Sequence, residues 1–251
     1  MLAIISPAKT LDYKKPLPPV TPTAIRLPDE TDKLATAAAK LGPKKLSALM
    51  HISDNLAQLN AERYKGFAEL PERPALFAFA GDVYAGFEAY SLDESAIDFA
   101  QDHLRILSGL YGLLRPLDAI RPYRLEMGTR WAPRKSDLYA FWGSKIGDLL
   151  GEDLAAEGSG DILNLASKEY WHAVAKFPPK GARIITVDFR ENGPKGLYFN
   201  SFGAKRARGM MSRWMCEHHV TDIDAMRGFD SDGYRFVADD SDATTWRFVR
   251  G

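Results

Sequence analysis

The 251-residue sequence predicts an α/β fold of mixed α+β character: a single compact domain with a mixed sheet and surrounding helices. Three observations carry this. Short apolar runs alternate with helix-patterned segments from end to end, as in a sheet with helices packed on it. No composition shift, repeat or low-complexity stretch marks a boundary, so residues 1–251 read as one unit. Some connections are hairpin-short while others hold helices, which mixes parallel and antiparallel pairing.

The elements follow in order. Leu2 to Ile5 is a short buried strand, and Ser6 to Pro28, with six prolines, is an extended connection lying on the surface or a neighbouring element. Asp29 to Lys40 places Leu34, Ala37, Ala38 and Leu41 at helical spacing and stops at Gly42, with Pro43 suited to open the next helix. Helices over Lys44–Met50 and Asp54–Tyr64 are separated by His51-Ile52-Ser53, with Ser53 as N-cap. Ala75 to Ala80 and His103 to Leu107 read as strands, and Ser108 to Gly128 as turns and short strands. Asp137 to Gly151 reads as helix, Ile162 to Leu165 as strand, and Ser167 to Ala175 as a Ser-capped helix. Arg183–Phe189 and Gly196–Phe199 flank the turn signal Glu191-Asn192-Gly193 and predict a hairpin. A long helix from about Phe202 to His219 follows. Tyr234 and Phe236, then Trp246 and Phe248, at period two, predict a terminal hairpin.

Composition excludes several classes. Hydrophobic residues at 45% and charged residues at 26% are those of a globular chain, not a disordered or fibrous one. The 33 Lys and Arg balance 33 Asp and Glu, so any surface for nucleic acid is local. The single Cys216 excludes an internal disulfide and fits a reducing compartment, making cytoplasm the expectation. No apolar stretch approaches the roughly 20 residues that cross a bilayer, and Leu2–Ile5 is too short for a signal peptide.

Four constellations carry possible chemistry. Residues 44–64 have the spacing of a helix-hairpin-helix, which sets hairpin amides and a helix N-terminus against DNA phosphate. His51 and Ser53 stand where that hairpin usually has glycine. Lys44, Lys45 and Arg63 supply charge nearby, and Asn55 is a donor for phosphate or a base edge. The same spacing also serves two core helices joined by a tight turn. In the second constellation, Lys205, Arg206, Arg208 and Arg213 fall within an arc of about 160° on one helix. No acid lies between Glu191 and Glu217, so the stripe is expected to lack helical partners. Third, Cys216 and His219 share a helix face but make only half a metal site, so no metal and no cofactor are expected. Fourth, the first strand opens into Ser6-Pro7-Ala8-Lys9-Thr10, a place where α/β proteins put functional groups. Lys9 is the candidate amine nucleophile, with Asp12, Glu126 or Glu169 as acid or base.

Longer blocks then become legible as words. Ile5-Ser6-Pro7-Ala8-Lys9-Thr10-Leu11-Asp12, Gly81-Asp82-Val83-Tyr84, Leu107-Ser108-Gly109-Leu110-Tyr111-Gly112, Leu114-Arg115-Pro116-Leu117-Asp118, Pro122 to Gly128, Asn164-Leu165-Ala166-Ser167 and Lys205-Arg206-Ala207-Arg208-Gly209 together resemble the YaaA family across the whole chain. The resemblance implies a bacterial cytosolic protein of peroxide-stress resistance that limits free iron and so protects DNA from hydroxyl radicals. It further implies an α/β fold with a helix-hairpin-helix and a positively charged cleft that binds duplex or distorted DNA. Carried over by position, the hairpin is His51, Ile52 and Ser53, and Lys205 and Arg208 are candidates for the cleft. No metal ligands or catalytic residues transfer with it. The expected function is therefore a DNA-binding protein of the peroxide response, gripping phosphates of double-stranded or structured DNA. A glycosylase- or lyase-like enzyme centred on Lys9, and a direct iron-handling protein, are the alternatives.

Overall fold

The sheet grows outward from Leu2–Ile5 (β1), whose four residues are all buried and which has a parallel neighbour on each side. An unbroken apolar run of this kind suits a strand covered on both faces. The computed structural model describes residues 1–251. The remaining strands of the main sheet are Leu104–Ser108 (β2), Gly112–Leu114 (β3), Asp161–Asn164 (β4), Arg183–Gly193 (β5), Gly196–Tyr198 (β6), Arg235–Val237 (β7) and Thr245–Arg250 (β8). Their order is β7-β8-β5-β4-β1-β2-β3, with β6 paired to β5 beside this path. The pairs β1/β2, β1/β4, β4/β5 and β5/β8 are parallel. The pairs β2/β3, β5/β6 and β7/β8 are antiparallel, so the sheet is mixed as the connection lengths predict.

The principal helices are Pro28–Ala38 (α1), Gly42–Met50 (α2), Asp54–Lys65 (α3), Asp82–Phe87 (α4), Glu94–His103 (α5), Lys145–Glu157 (α6), Lys168–Ala175 (α7) and Ser201–Glu217 (α8). Ser53 and Ser167 cap α3 and α7 by accepting from the amides of Leu56 and Tyr170. No helix is long and apolar enough to cross a membrane.

Several elements differ from the sequence reading for identifiable reasons. Ala75–Ala78 is a helical turn, and only Phe79–Ala80 is extended. A short, wholly buried run carries no periodicity to separate the two states. The helix expected over Asp137 to Gly151 breaks at Gly143, whose φ of 52° divides Leu138–Trp142 from α6. Glu191-Asn192-Gly193 continues β5, and the chain reverses at Pro194-Lys195 before Gly196. Helices α4 and α5 were not anticipated, although Asp93 caps α5 by accepting from the Ala96 amide.

Two features of this topology position the site. From β1 the chain crosses to β2 on one side, whereas from β4 it crosses to β5 on the other. The carboxyl ends of the adjacent strands β1 and β4 therefore flank a topological switch point, where open α/β sheets form their crevice. Secondly, α4 and α8 cross backbone to backbone. A Cβ on Gly209 would meet the Val83 carbonyl oxygen at 1.8 Å, and one on Gly86 the Arg206 carbonyl oxygen at 2.1 Å. This contact ties the Gly81-Asp82-Val83-Tyr84 block to the Lys205–Gly209 block.

Candidate functional site at the carboxyl edge of the sheet

The two loops at the switch point are joined directly. Ser6, leaving β1, accepts a hydrogen bond on its hydroxyl from the Ser167 amide at 2.9 Å, and the Tyr84 hydroxyl donates to the Ser6 carbonyl at 3.2 Å. Ser167 caps α7, so Glu169 falls in its first turn, and Lys9 lies three residues beyond Ser6. A third segment, 121–130, closes the crevice. It is held from beneath by a 2.6 Å hydrogen bond between the Tyr123 and Ser108 hydroxyls, and from the side by the Tyr64 hydroxyl of α3 donating to the Arg124 carbonyl at 2.9 Å.

These segments enclose a cleft of about 480 Å³ lined by Lys9, Glu126, Gly128, Thr129, Arg130, Glu169 and the end of α2 from Ala48 to His51. Three of the four acid, base and nucleophile candidates read from sequence thus meet in one place. Lys9 Nζ lies 3.4 Å from Glu126 Oε1, which Arg124 Nη2 also contacts at 2.9 Å. Glu126 Oε2 is enclosed without a hydrogen-bond partner within the chain, which costs desolvation energy. Glu169 Oε1 accepts from the Gly128 amide at 2.9 Å. Burial pushes the Tyr123 and Tyr170 phenols up, so the walls beside Glu126 are neutral hydroxyls. Arg130 and Thr129 were missed by the sequence reading, their only signal being proximity to Glu126.

Asp12 is elsewhere. Its carboxylate accepts from the Lys14 and Lys15 amides, which holds it below the usual carboxylate range. It lines a separate groove of about 920 Å³ with Phe77 and Tyr90.

The turn between α2 and α3 forms without glycine. His51 adopts φ 51°, ψ 50°, the left-handed conformation that glycine otherwise supplies, and its amide bonds the Ser47 carbonyl. Ser53 needs no such freedom, since its φ of −61° and ψ of 157° are ordinary extended backbone. Lys44, Lys45, Ser53 and Asn55 are exposed, while Arg63 is half-buried and donates to Asn60 at 3.4 Å.

The basic stripe of α8 is less open than its sequence predicts. Arg213 reaches Glu217 at 2.7 Å, one turn on, and also donates to the Phe87 and Glu88 carbonyls. The expectation of no helical partner is therefore corrected, because Glu217 lies at i+4 from Arg213. Lys205 lies 3.6 Å from Asp82. Arg208 is largely buried with its Nε unpartnered, and that burial pulls its guanidinium below the usual arginine range. Only Arg206 is exposed without an ion-pair partner.

At the end of α8, Cys216 is fully buried and burial pushes its thiol up, whereas His219 turns out to the Ser95 hydroxyl at 3.2 Å. The two do not converge, and no group of three or more His, Cys, Asp or Glu side chains is placed to hold a metal ion.

The chain is similar over its whole length to known proteins. A UPF0246 protein from Rhizorhabdus wittichii is 68% identical over 251 residues, covering 100% of this chain and 99% of its relative. UPF0246 proteins from Saccharophagus degradans and Aliivibrio fischeri are 47% and 46% identical over 255 residues, again covering all of this chain and 99% and 98% of theirs. The family profile described as peroxide stress protein YaaA matches residues 1–240, and the chain belongs to that family.

Proposed function

We propose that this peroxide stress protein acts in the cytoplasm as a DNA-binding protein, with the turn between α2 and α3 and the adjoining cleft facing the DNA. The supporting observation is that His51, at the apex of the turn, also lines the switch-point cleft beside Lys9 and Arg130. A duplex seated on the turn therefore lies over the cleft. The exposed Lys44 and Lys45 on α2 flank the same apex, and of the first-turn amides of α3 that of Leu56 is capped by Ser53 while those before it lack intrahelical partners. Contacts of this kind read phosphate and DNA shape more than base sequence. Lys205 and Arg206, the exposed cations of α8, are further phosphate contacts in this reading, whereas Arg208 and Arg213 serve the fold. The lowering of free iron that the family resemblance implies is not assigned to any side chain of this surface.

Fluorescence anisotropy of duplex, bubble and four-way-junction DNA across a salt series tests this reading. Lys44→Glu with Lys45→Glu is expected to weaken binding about 10- to 100-fold at low salt and to reduce the log–log salt slope by about 2. Lys176→Glu with Lys180→Glu, beyond α7 at the opposite edge of the sheet, is expected to change neither. Equal losses in both double variants would show that net charge, not this surface, sets the affinity.

A further inference from the structure

We infer that the switch-point cleft is a reaction centre in which Lys9 forms an imine with an aldehyde-bearing, base-less sugar of damaged DNA. The inference rests on the DNA-binding reading and adds a substrate class and a reaction to it.

Three observations carry it. The cleft lies where open α/β sheets place their chemistry, outside the carboxyl ends of strands that lead in opposite directions. Its volume of about 480 Å³ falls within the range of small-ligand sites, and it takes a sugar with one phosphate more readily than a duplex. Its functional groups are one primary amine, at Lys9, two carboxylates, at Glu126 and Glu169, and the His51 imidazole, Thr129 hydroxyl and Arg130 guanidinium, while the chain's only thiol is fully buried elsewhere. An amine with a carboxylate 3.4 Å away is equipment for carbonyl condensation. In DNA an aldehyde becomes available where the base has been lost and the deoxyribose ring opens, a lesion that hydroxyl radicals generate.

The steps balance without an oxidant or reductant. Lys9 Nζ, once deprotonated, adds to C1′ of the open-chain sugar, and the carbinolamine oxygen takes up protons and leaves as water, giving an iminium. Glu169 removes a proton from C2′. The C2′–H electron pair forms C2′=C3′, and the C3′–O bond breaks to release the 3′ phosphate. Water then adds to the iminium, freeing an unsaturated aldehyde and restoring the Lys9 amine. Glu169 is suited to the proton transfer because one oxygen is anchored by the Gly128 amide and the residue is otherwise exposed. Glu126, locked by Arg124, is a positioning residue that keeps Lys9 over the cleft.

Borohydride trapping on duplex DNA with one abasic site tests the proposal, with affinity measured separately on a tetrahydrofuran-abasic duplex that cannot form an imine. Lys9→Ala is expected to lose at least about tenfold in trapped adduct while affinity stays within about threefold, and Lys180→Ala to trap as wild type. Glu169→Gln is expected to keep trapping and to slow strand cleavage about 100-fold, as loss of a general base does. Glu126→Gln is expected to lower the trapping rate with affinity unchanged, and Glu126→Asp to restore part of it, a rescue that mere loss of packing does not show. Wild-type trapping unchanged in Lys9→Ala, or tight binding with no adduct, overturns the imine proposal and leaves DNA binding standing. Absence of binding to the tetrahydrofuran duplex overturns the DNA-binding reading itself.

Discussion

Gly209→Ala is expected to lower the stability of the fold by about 3 kcal/mol, the upper part of the usual range for overpacking. The added methyl has no room: its position is 1.8 Å from the Val83 carbonyl oxygen and 2.8 Å from the Phe87 amide nitrogen, both backbone atoms of α4. A flexible side chain could swing aside, but here one helix must slide along the other. Alanine costs nothing intrinsically in mid-helix and gains about 1 kcal/mol over glycine there, so a net loss isolates the crossing as its cause. Urea unfolding followed by far-UV circular dichroism is expected to show a lower midpoint with an unchanged slope. A midpoint equal to or above that of the unaltered protein would mean that the helices separate easily.

Asp153→Ala is expected to cost as much or more, about 3 to 5 kcal/mol. Asp153 on α6 holds two guanidiniums, Arg105 Nε at 2.6 Å and Arg26 Nη1 at 2.5 Å. Arg105 is only 7% exposed, and Arg26 Nε and Nη2 already lack partners, so removing the carboxylate leaves two cations away from water and close together. Burial holds the Arg105 guanidinium below the usual arginine range even with the Asp153 partner. Arg105→Met combined with Asp153→Leu is expected to recover part of the loss, because it removes one of the two unpaired charges and leaves Arg26 without its partner. Thermal and urea unfolding of the single and double variants measure this. Equal stability of Asp153→Ala and the unaltered protein would show that the cluster is hydrated and unimportant.

Much of this architecture is written in local chemistry. The Ser53 and Ser167 caps, the buried run Leu2–Ile5 and the period-two aromatics of the terminal hairpin each have a physical signature of a few residues, and each appears in the structure. The misread elements are those whose state depends on partners far along the chain. Ala75–Ala78 and Phe79–Ala80 are equally apolar and take different states because Phe79–Ala80 alone pairs with Thr10–Leu11. The site divides in the same way. Lys9, Glu126 and Glu169 could be named from residue type and from the opening of the first strand. Their meeting depends on strand order, which places β4 beside β1 despite the 155 residues between Ile5 and Asp161. The stripe on α8 shows the converse: its helical spacing was legible, but the burial of Arg208 and the capture of Arg213 by α4 carbonyls were not. His51 adds a third lesson, since a missing glycine does not remove a turn when the surrounding helices hold the residue at φ 51°.

Hydrogen exchange of the protein free and saturated with a bubble duplex tests the central claim most directly, because it asks where the DNA lies without altering a side chain. DNA on the turn and cleft is expected to slow exchange at residues 48–55 and 126–130, with no change at residues 176–183 on the opposite edge. Protection confined to 176–183, or to the terminal strands, would contradict the account and leave the cleft as a site for a small molecule alone.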